Sequence, residues 1–229
     1  MMRLCWIVTT TLLLAGCAAD NTDAIKAAIK NTLPVAYKVE YGEFKKFPGG
    51  VVCGEFTPIG RFDVPEGARQ FIYYGDDIEF VPSADDLAIF CSKDQEKQIA
   101  KLLNIGLPAK ENQSLLAIYK DLKALDTALQ LYISDNQIYP LTAQGLEALV
   151  SESETYPKPP RFRASGYIAK VPLDPWGRPY HYASEEKLRT EPIEYSLFTL
   201  GKDGKEGGTG DDADISSLHI KYLRHILED

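Results

Sequence analysis

Between Leu200 and Asp214 the chain reads Leu-Gly-Lys-Asp-Gly-Lys-Glu-Gly-Gly-Thr-Gly-Asp-Asp-Ala-Asp, four Asp and one Glu against two Lys in a glycine-rich run. Left uncompensated, these carboxylates repel one another. Calcium takes six to eight oxygens at about 2.3 to 2.6 Å and accepts backbone carbonyls beside carboxylates, so acids interleaved with flexible Gly suit it. Magnesium prefers a tight octahedron with retained water and suits it less. The alternative is a solvated acidic loop that binds nothing, and composition alone favours that alternative, because no EF-hand spacing is present.

The cysteines divide by position. Met1, Met2 and Arg3 form a short positive start, and the apolar stretch from Leu4 to Ala15 follows. That stretch falls short of the ~20 apolar residues that span a bilayer. It ends in Leu13-Leu14-Ala15-Gly16-Cys17, which resembles a lipobox, so residues 1–16 are expected to be a lipoprotein signal peptide and Cys17 to carry the lipid. Cleavage by an ordinary signal peptidase near Ala18-Ala19 is the alternative. By resemblance to Gram-negative lipoproteins, Ala18 after the acylated Cys points to the outer membrane facing the periplasm; inner membrane and cell surface stay open. More than one acyl chain makes such anchoring effectively stable, at about 0.8 kcal/mol per buried methylene. Cys5 leaves with the leader, and Cys53 and Cys91 remain. In an oxidising compartment an isolated pair is expected to be a disulfide, worth about 4 kcal/mol in the chain-entropy model.

Catalysis finds no support. His181, His219 and His225 lack metal-ligand spacing and read as surface or strand residues. No nucleophile elbow, phosphate loop or dinucleotide fingerprint occurs, and Glu185-Glu186 fall in a polar stretch. A formal net charge of −8 without a basic run excludes nucleic acid, since phosphate binding needs clustered Lys or Arg. No small-molecule substrate is indicated.

The elements that must position these residues fall in two groups, an α+β class in both. Thr22 or Asp23 can cap a short helix that Pro34 stops. Short β-type runs follow at Tyr37–Tyr41, Gly50–Phe56, Gln70–Tyr74, Ile78–Val81 and Leu87–Phe90. The run Val52-Cys53-Gly54-Glu55-Phe56, with Phe71-Ile72-Tyr73 and Phe90-Cys91, resembles a small periplasmic domain that carries no activity to transfer. Gln95–Leu103 reads as a helix. Gly106 and Pro108 mark 106–112 as a linker between a lipid-anchored module, 17–105, and a second domain, 113–229. There Leu115, Tyr119, Leu122, Leu125, Leu129, Tyr132 and Ile133 recur every three or four residues, the stripe of a helix of about six turns packed on one side. Lys120, Asp121, Lys123, Asp126 and Gln130 are expected on its solvated face.

The motifs beyond this helix are more specific. Asp135-Asn136, Tyr139-Pro140, Gln144-Gly145-Leu146-Glu147-Ala148-Leu149, Gly166-Tyr167, Asp174-Pro175-Trp176-Gly177, Pro179-Tyr180, Leu200-Gly201, Asp203-Gly204 and Asp212-Ala213-Asp214 stand in order. Together they resemble the C-terminal domain of the major type II secretion pseudopilin, over about residues 113 to 215. Each motif also has a scaffold reading: Asn136 closing the helix, Thr142 capping a short helix, and Asp174-Pro175-Trp176-Gly177 as a turn beneath which Trp176 packs. Tyr180–Tyr182 and Glu194–Phe198 are the expected strands of a short antiparallel sheet across the helix. The resemblance implies a calcium ion held by side chains of Asp203, Asp212 and Asp214 and carbonyls of Leu200 and Lys205, with Asp211 able to replace Asp212.

Two features depart from that family: no apolar helix of about 20 residues follows the leader, and Leu218, Tyr222, Leu223, Ile226 and Leu227 form an added amphipathic helix. The reading is therefore a non-enzymatic envelope lipoprotein with a calcium-stabilised pseudopilin-like head, contacting envelope proteins of type II secretion or pilus-type machinery. A binding lipoprotein unrelated to secretion is the second reading, since fold does not fix function, and an envelope hydrolase the third.

Overall fold

The computed structural model describes residues 21–34, 38–74, 77–184 and 194–228. The lipobox, Cys17 and Glu185-Glu186 lie outside them. The chain divides into two compact units, one of residues 1–46 and 52–82 and the other of 47–51 and 83–229. The division thus falls at Pro82–Ser83 rather than in the expected linker 106–112. The reason is that 83–112 is packed chain: Ala109 is fully buried, its N–H donates to Glu96 Oε1 at 3.0 Å, and a 3-10 turn spans Ala109–Glu111.

In the first unit, helix α1 (Thr22–Asn31) covers a five-stranded antiparallel sheet. Its strands are β1 (Lys38–Tyr41), β2 (Lys45–Lys46), β3 (Val52–Ile59), β4 (Arg69–Tyr74) and β5 (Asp77–Phe80), ordered β1-β3-β4-β5 with β2 also on β3. Ile25 and Ile29, one turn apart on α1, are fully buried against Val52, Phe56 and Phe71. Each such side chain removed from water contributes roughly 2 kcal/mol. Gly54 has a packing reason: a Cβ there would meet the rings of Phe44 and Phe71 at 2.9 Å. Asn21, not Thr22 or Asp23, stands at the head of α1, and its side chain makes no capping bond.

In the second unit the first α-helix is α2 (Ala84–Phe90), where a strand over Leu87–Phe90 was expected. Ser83 Oγ accepts from the Asp86 N–H at 3.1 Å, and Asp85 and Asp86 in the first turn favour helix over the apolar run's strand tendency. Helix α3 (Gln95–Leu103) forms as expected. Helix α4 (Gln113–Asn136) begins at Asn112, whose Oδ1 accepts from Leu115 N–H at 2.9 Å. It runs 24 residues, about 36 Å at 1.5 Å per residue. The left-handed residue that ends it is Gln137, φ 65°, not Asn136. Asn136 is buried and bonds Tyr132 O, Tyr167 Oη and Arg161 N–H.

Strands β6 (His181–Ser184), β7 (Tyr195–Thr199) and β8 (Ile215–Ser216) form an antiparallel sheet in that order. Leu197 and Ile215 are buried on one face. Thr142 does not cap a helix; it exchanges hydrogen bonds with the Ser184 backbone at 2.7 and 2.9 Å, and Leu146–Leu149 is a 3-10 turn. Helix α5 (Ile220–Leu227) is the added helix, with Tyr222, Leu223 and Ile226 buried. It packs against α4. The expected one-sided packing of α4 is corrected too. Asp121 accepts from Tyr180 Oη at 2.9 Å and Asp126 from Tyr195 Oη, because the sheet brings phenols to what reads in sequence as the polar face. No helix among the described residues is long and apolar enough to cross a membrane.

Candidate functional site

The acidic loop hangs between β7 and β8. Its glycines are forced where the chain doubles back: Gly201 (φ 62°) and Gly208 (φ 91°) face the Asp212 carbonyl, and a Cβ on either would clash with it. Three residues from distant parts of the second unit hold the loop. The Arg178 guanidinium donates to Gly201 O. Asn104 O accepts from Gly210 N–H at 2.7 Å, and Asn112 Nδ2 donates to Asp211 Oδ1 at 3.0 Å. Sequence reasoning missed these three. The Asn112 position at the head of α4 is a signal for a cap but none for a loop 99 residues away.

Within the loop, Asp203 Oδ1 accepts from Lys205 N–H at 3.0 Å, Asp214 Oδ2 from Gly207 N–H at 2.8 Å, and Asp211 O from Lys202 N–H at 2.8 Å. Asp203 and Lys205 are exposed; Leu200, Asp212 and Asp214 are half-buried. Asp211 already serves Asn112, which argues against its replacing Asp212. Among the described residues no group of three or more His, Cys, Asp or Glu converges where a metal could sit. One oxygen nonetheless fits a cation: Asp214 Oδ1 is buried with no hydrogen-bond partner. A buried carboxylate oxygen left unpaired is costly, and a cation beside it removes that cost. A calcium shell built largely of carbonyls needs few carboxylates, so the residues fit calcium through Asp214 and the loop backbone rather than through a three-acid cage.

The turn before β6 behaves as its residues dictate. Asp174 Oδ1 accepts from Trp176 and Arg178 N–H at 3.0 and 2.8 Å, its Oδ2 accepts from Thr199 Oγ1 at 2.9 Å, and Gly177 takes φ 83°. This buried carboxylate ties the turn to β7, just before the loop.

Of the histidines, only His181 is a strand-surface residue, stacked on Phe198. His219 Nδ1 accepts from Ser216 N–H at 3.2 Å, and His225 Nε2 lies 2.9 Å from Gln95 Oε1. Burial lowers the pKa of both, with Arg224 adding to the effect at His225. The Cys53–Cys91 disulfide is present.

A long helix laid on a short antiparallel sheet, followed by a glycine-rich acidic loop, defines a pseudopilin-type head. A profile of protein G of the type II secretion system matches residues 108–218. Type II secretion system core protein G of Vibrio cholerae is 45% identical over 112 residues, 49% of this chain and 73% of that protein. The Pseudomonas aeruginosa protein is 40% identical over 120 residues, 52% of this chain and 82% of that one. The crystal structure of the major pseudopilin from the type 2 secretion system of enterohaemorrhagic Escherichia coli is 37% identical, covering 45% of this chain and 84% of that chain, with a TM-score of 0.37. The chain belongs to the type II secretion protein G family. Protein G is a structural component of the secretion system, and the chain is not an enzyme.

Proposed function

We propose that the chain is a lipid-anchored envelope protein of the type II secretion apparatus or a related pilus-type machine, with a protein G-like head stabilised by one structural calcium ion. The observation that carries this reading is that the span matched to protein G, 108–218, includes α4, the three-stranded sheet and the acidic loop. The lipid would sit on Cys17 after removal of residues 1–16, facing the periplasm from the outer membrane. Partners would be other secretion components, met through protein–protein contacts. The Asp214 side chain and loop carbonyls, those of Leu200 and Lys205 among them, would hold the ion, with the Asp203 and Asp212 charges nearby rather than in its shell; the ion neutralises and orders the loop and takes no part in any reaction.

A melting scan of the full chain tests the ion. Calcium should raise the melting temperature, magnesium much less, and a chelator should reverse it, because a ligand bound only by the folded state stabilises it. Asp214→Ala should abolish the rise; an identical melt in all conditions overturns the site. Labelling with radioactive palmitate tests the anchor: wild type should incorporate label and Cys17→Ala should not. Co-purification from detergent-solubilised envelopes that yields no secretion component would reject the tie to the machinery.

A further inference from the structure

The Arg178 guanidinium is gripped from several directions. Its Nε lies 3.4 Å from Oδ2 of Asp174, a buried carboxylate, and the group sits 5.6 Å from the Trp176 ring centroid. The same guanidinium donates to Gly201 O. Opposite stands Gly204 (φ 69°), where a Cβ would meet the guanidinium. Asp174 in turn accepts from Thr199 Oγ1 at 2.9 Å, and Thr199 is the last residue of β7. The clamp therefore holds the chain at Thr199, Gly201 and Gly204, positions that flank Leu200 on both sides and adjoin Lys205. Leu200 and Lys205 are the residues whose carbonyls are assigned to the cation.

A positive group beside a cation site is unfavourable by charge alone, so its place there has another reason. Asp174 already answers the charge. What remains is geometry: a planar fork that meets a carboxylate, an aromatic face and a carbonyl together fixes position in a way a lysine does not. The loop needs such fixing, because Gly201, Gly204, Gly207, Gly208 and Gly210 give the chain more freedom to lose than other residues would. We infer that Arg178 is a positioning residue for calcium, setting the Leu200 and Lys205 carbonyls in advance so that the ion does not have to order them on binding. The inference rests on the calcium reading above and adds to it a side chain from outside the 200–214 loop.

Titration calorimetry of the full chain with calcium chloride, after treatment with a chelator, tests it. Arg178→Lys keeps the charge and loses the fork, and should bind calcium about tenfold more weakly than wild type. Arg178→Gln should be weakened at least as much. Were charge the whole role, Arg178→Lys would match wild type and Arg178→Gln would bind more tightly. Were the role only to stabilise the fold, both variants would melt lower in chelator and keep the wild-type Kd. Either pattern overturns the inference. Gly204→Ala displaces the guanidinium from the other side, and should weaken calcium binding more than Gly210→Ala, which carries similar left-handed strain with open space around its Cβ. Equal constants for those two overturn the inference even if Arg178→Lys does not fold, which melting checks. A wild type that takes up no calcium overturns the ion and this inference with it; uptake by wild type with unchanged affinity in Arg178→Lys overturns the Arg178 role alone.

Discussion

Tyr222 donates its hydroxyl to Asp86 Oδ1 at 2.8 Å, joining residues 136 positions apart. Lys221 Nζ lies 2.6 Å from the same oxygen, and Ser83 Oγ donates to Oδ2 at 2.6 Å. Asp86 is 2% exposed, so the added helix α5 is fastened to α2 by a buried, fully engaged carboxylate. Burial raises this carboxyl's pKa, but the hydrogen bonds from Lys221, Ser83 and Tyr222 outweigh it and the net shift is downward.

Asp86→Ala should therefore cost about 3 kcal/mol, since it strands buried partners of a charge pair. Urea denaturation measures this. A carboxyl whose folded pKa lies below its unfolded value of about 3.9 stabilises above that value and loses the contribution as pH falls through the folded pKa. Wild type should lose stability below about pH 4, and Asp86→Asn should show a shallower decline there.

His219 and His225 act at higher pH. Burial lowers both below the unfolded value of about 6.5, so the unfolded chain binds protons first. Stability should be full above about pH 6.5 and fall below it, as pH passes through the folded values. Melting temperatures between pH 7.5 and 5 should decline, and less steeply in His225→Gln. Identical slopes for the two proteins would show that His225 carries none of it.

The loop glycines differ in what surrounds them. At Gly210 (φ 65°) a Cβ has open space within 4 Å, whereas at Gly208 it meets the Asp212 carbonyl. Gly210→Ala should cost about 1 kcal/mol from left-handed strain alone, and Gly208→Ala clearly more. Equal losses in chemical denaturation would mean that the doubled-back chain gives way freely.

Along α4, Tyr180→Phe should cost about 1 kcal/mol by leaving Asp121 unpaired. Burial raises the Asp121 pKa even with Tyr180 bonded to it, so desolvation costs its charged form more than the Tyr180 hydrogen bond returns. Asp121→Asn should consequently be near neutral or mildly stabilising at pH 7. A thermal melt of each variant separates the two outcomes.

Local chemistry was legible in the residues. The period of Leu115, Leu122, Leu125 and Leu129 wrote α4, the Asp-Pro-Trp-Gly turn formed around its Asp oxygen, and the ordered motifs named the family before any coordinate. These depend on neighbours within a few residues, or on a pattern repeated across relatives. Even the helix α2 was written, in Ser83 and Asp86, though the apolar run beside it read as strand.

Tertiary structure alone decided which polar groups find partners. Asp121 and Asp126 look solvated until the three-stranded sheet and the residue just before it lay Tyr195 and Tyr180 against them. Asp211 looks like a metal ligand until Asn112 claims it, and Asp214 looks like one acid among several until burial leaves one of its oxygens unanswered. Spacing in sequence sets which side chains share a face of one helix or strand. Desolvation and pairing are set by whatever the fold brings from far along the chain, and it is there that the acidic loop acquires its chemistry.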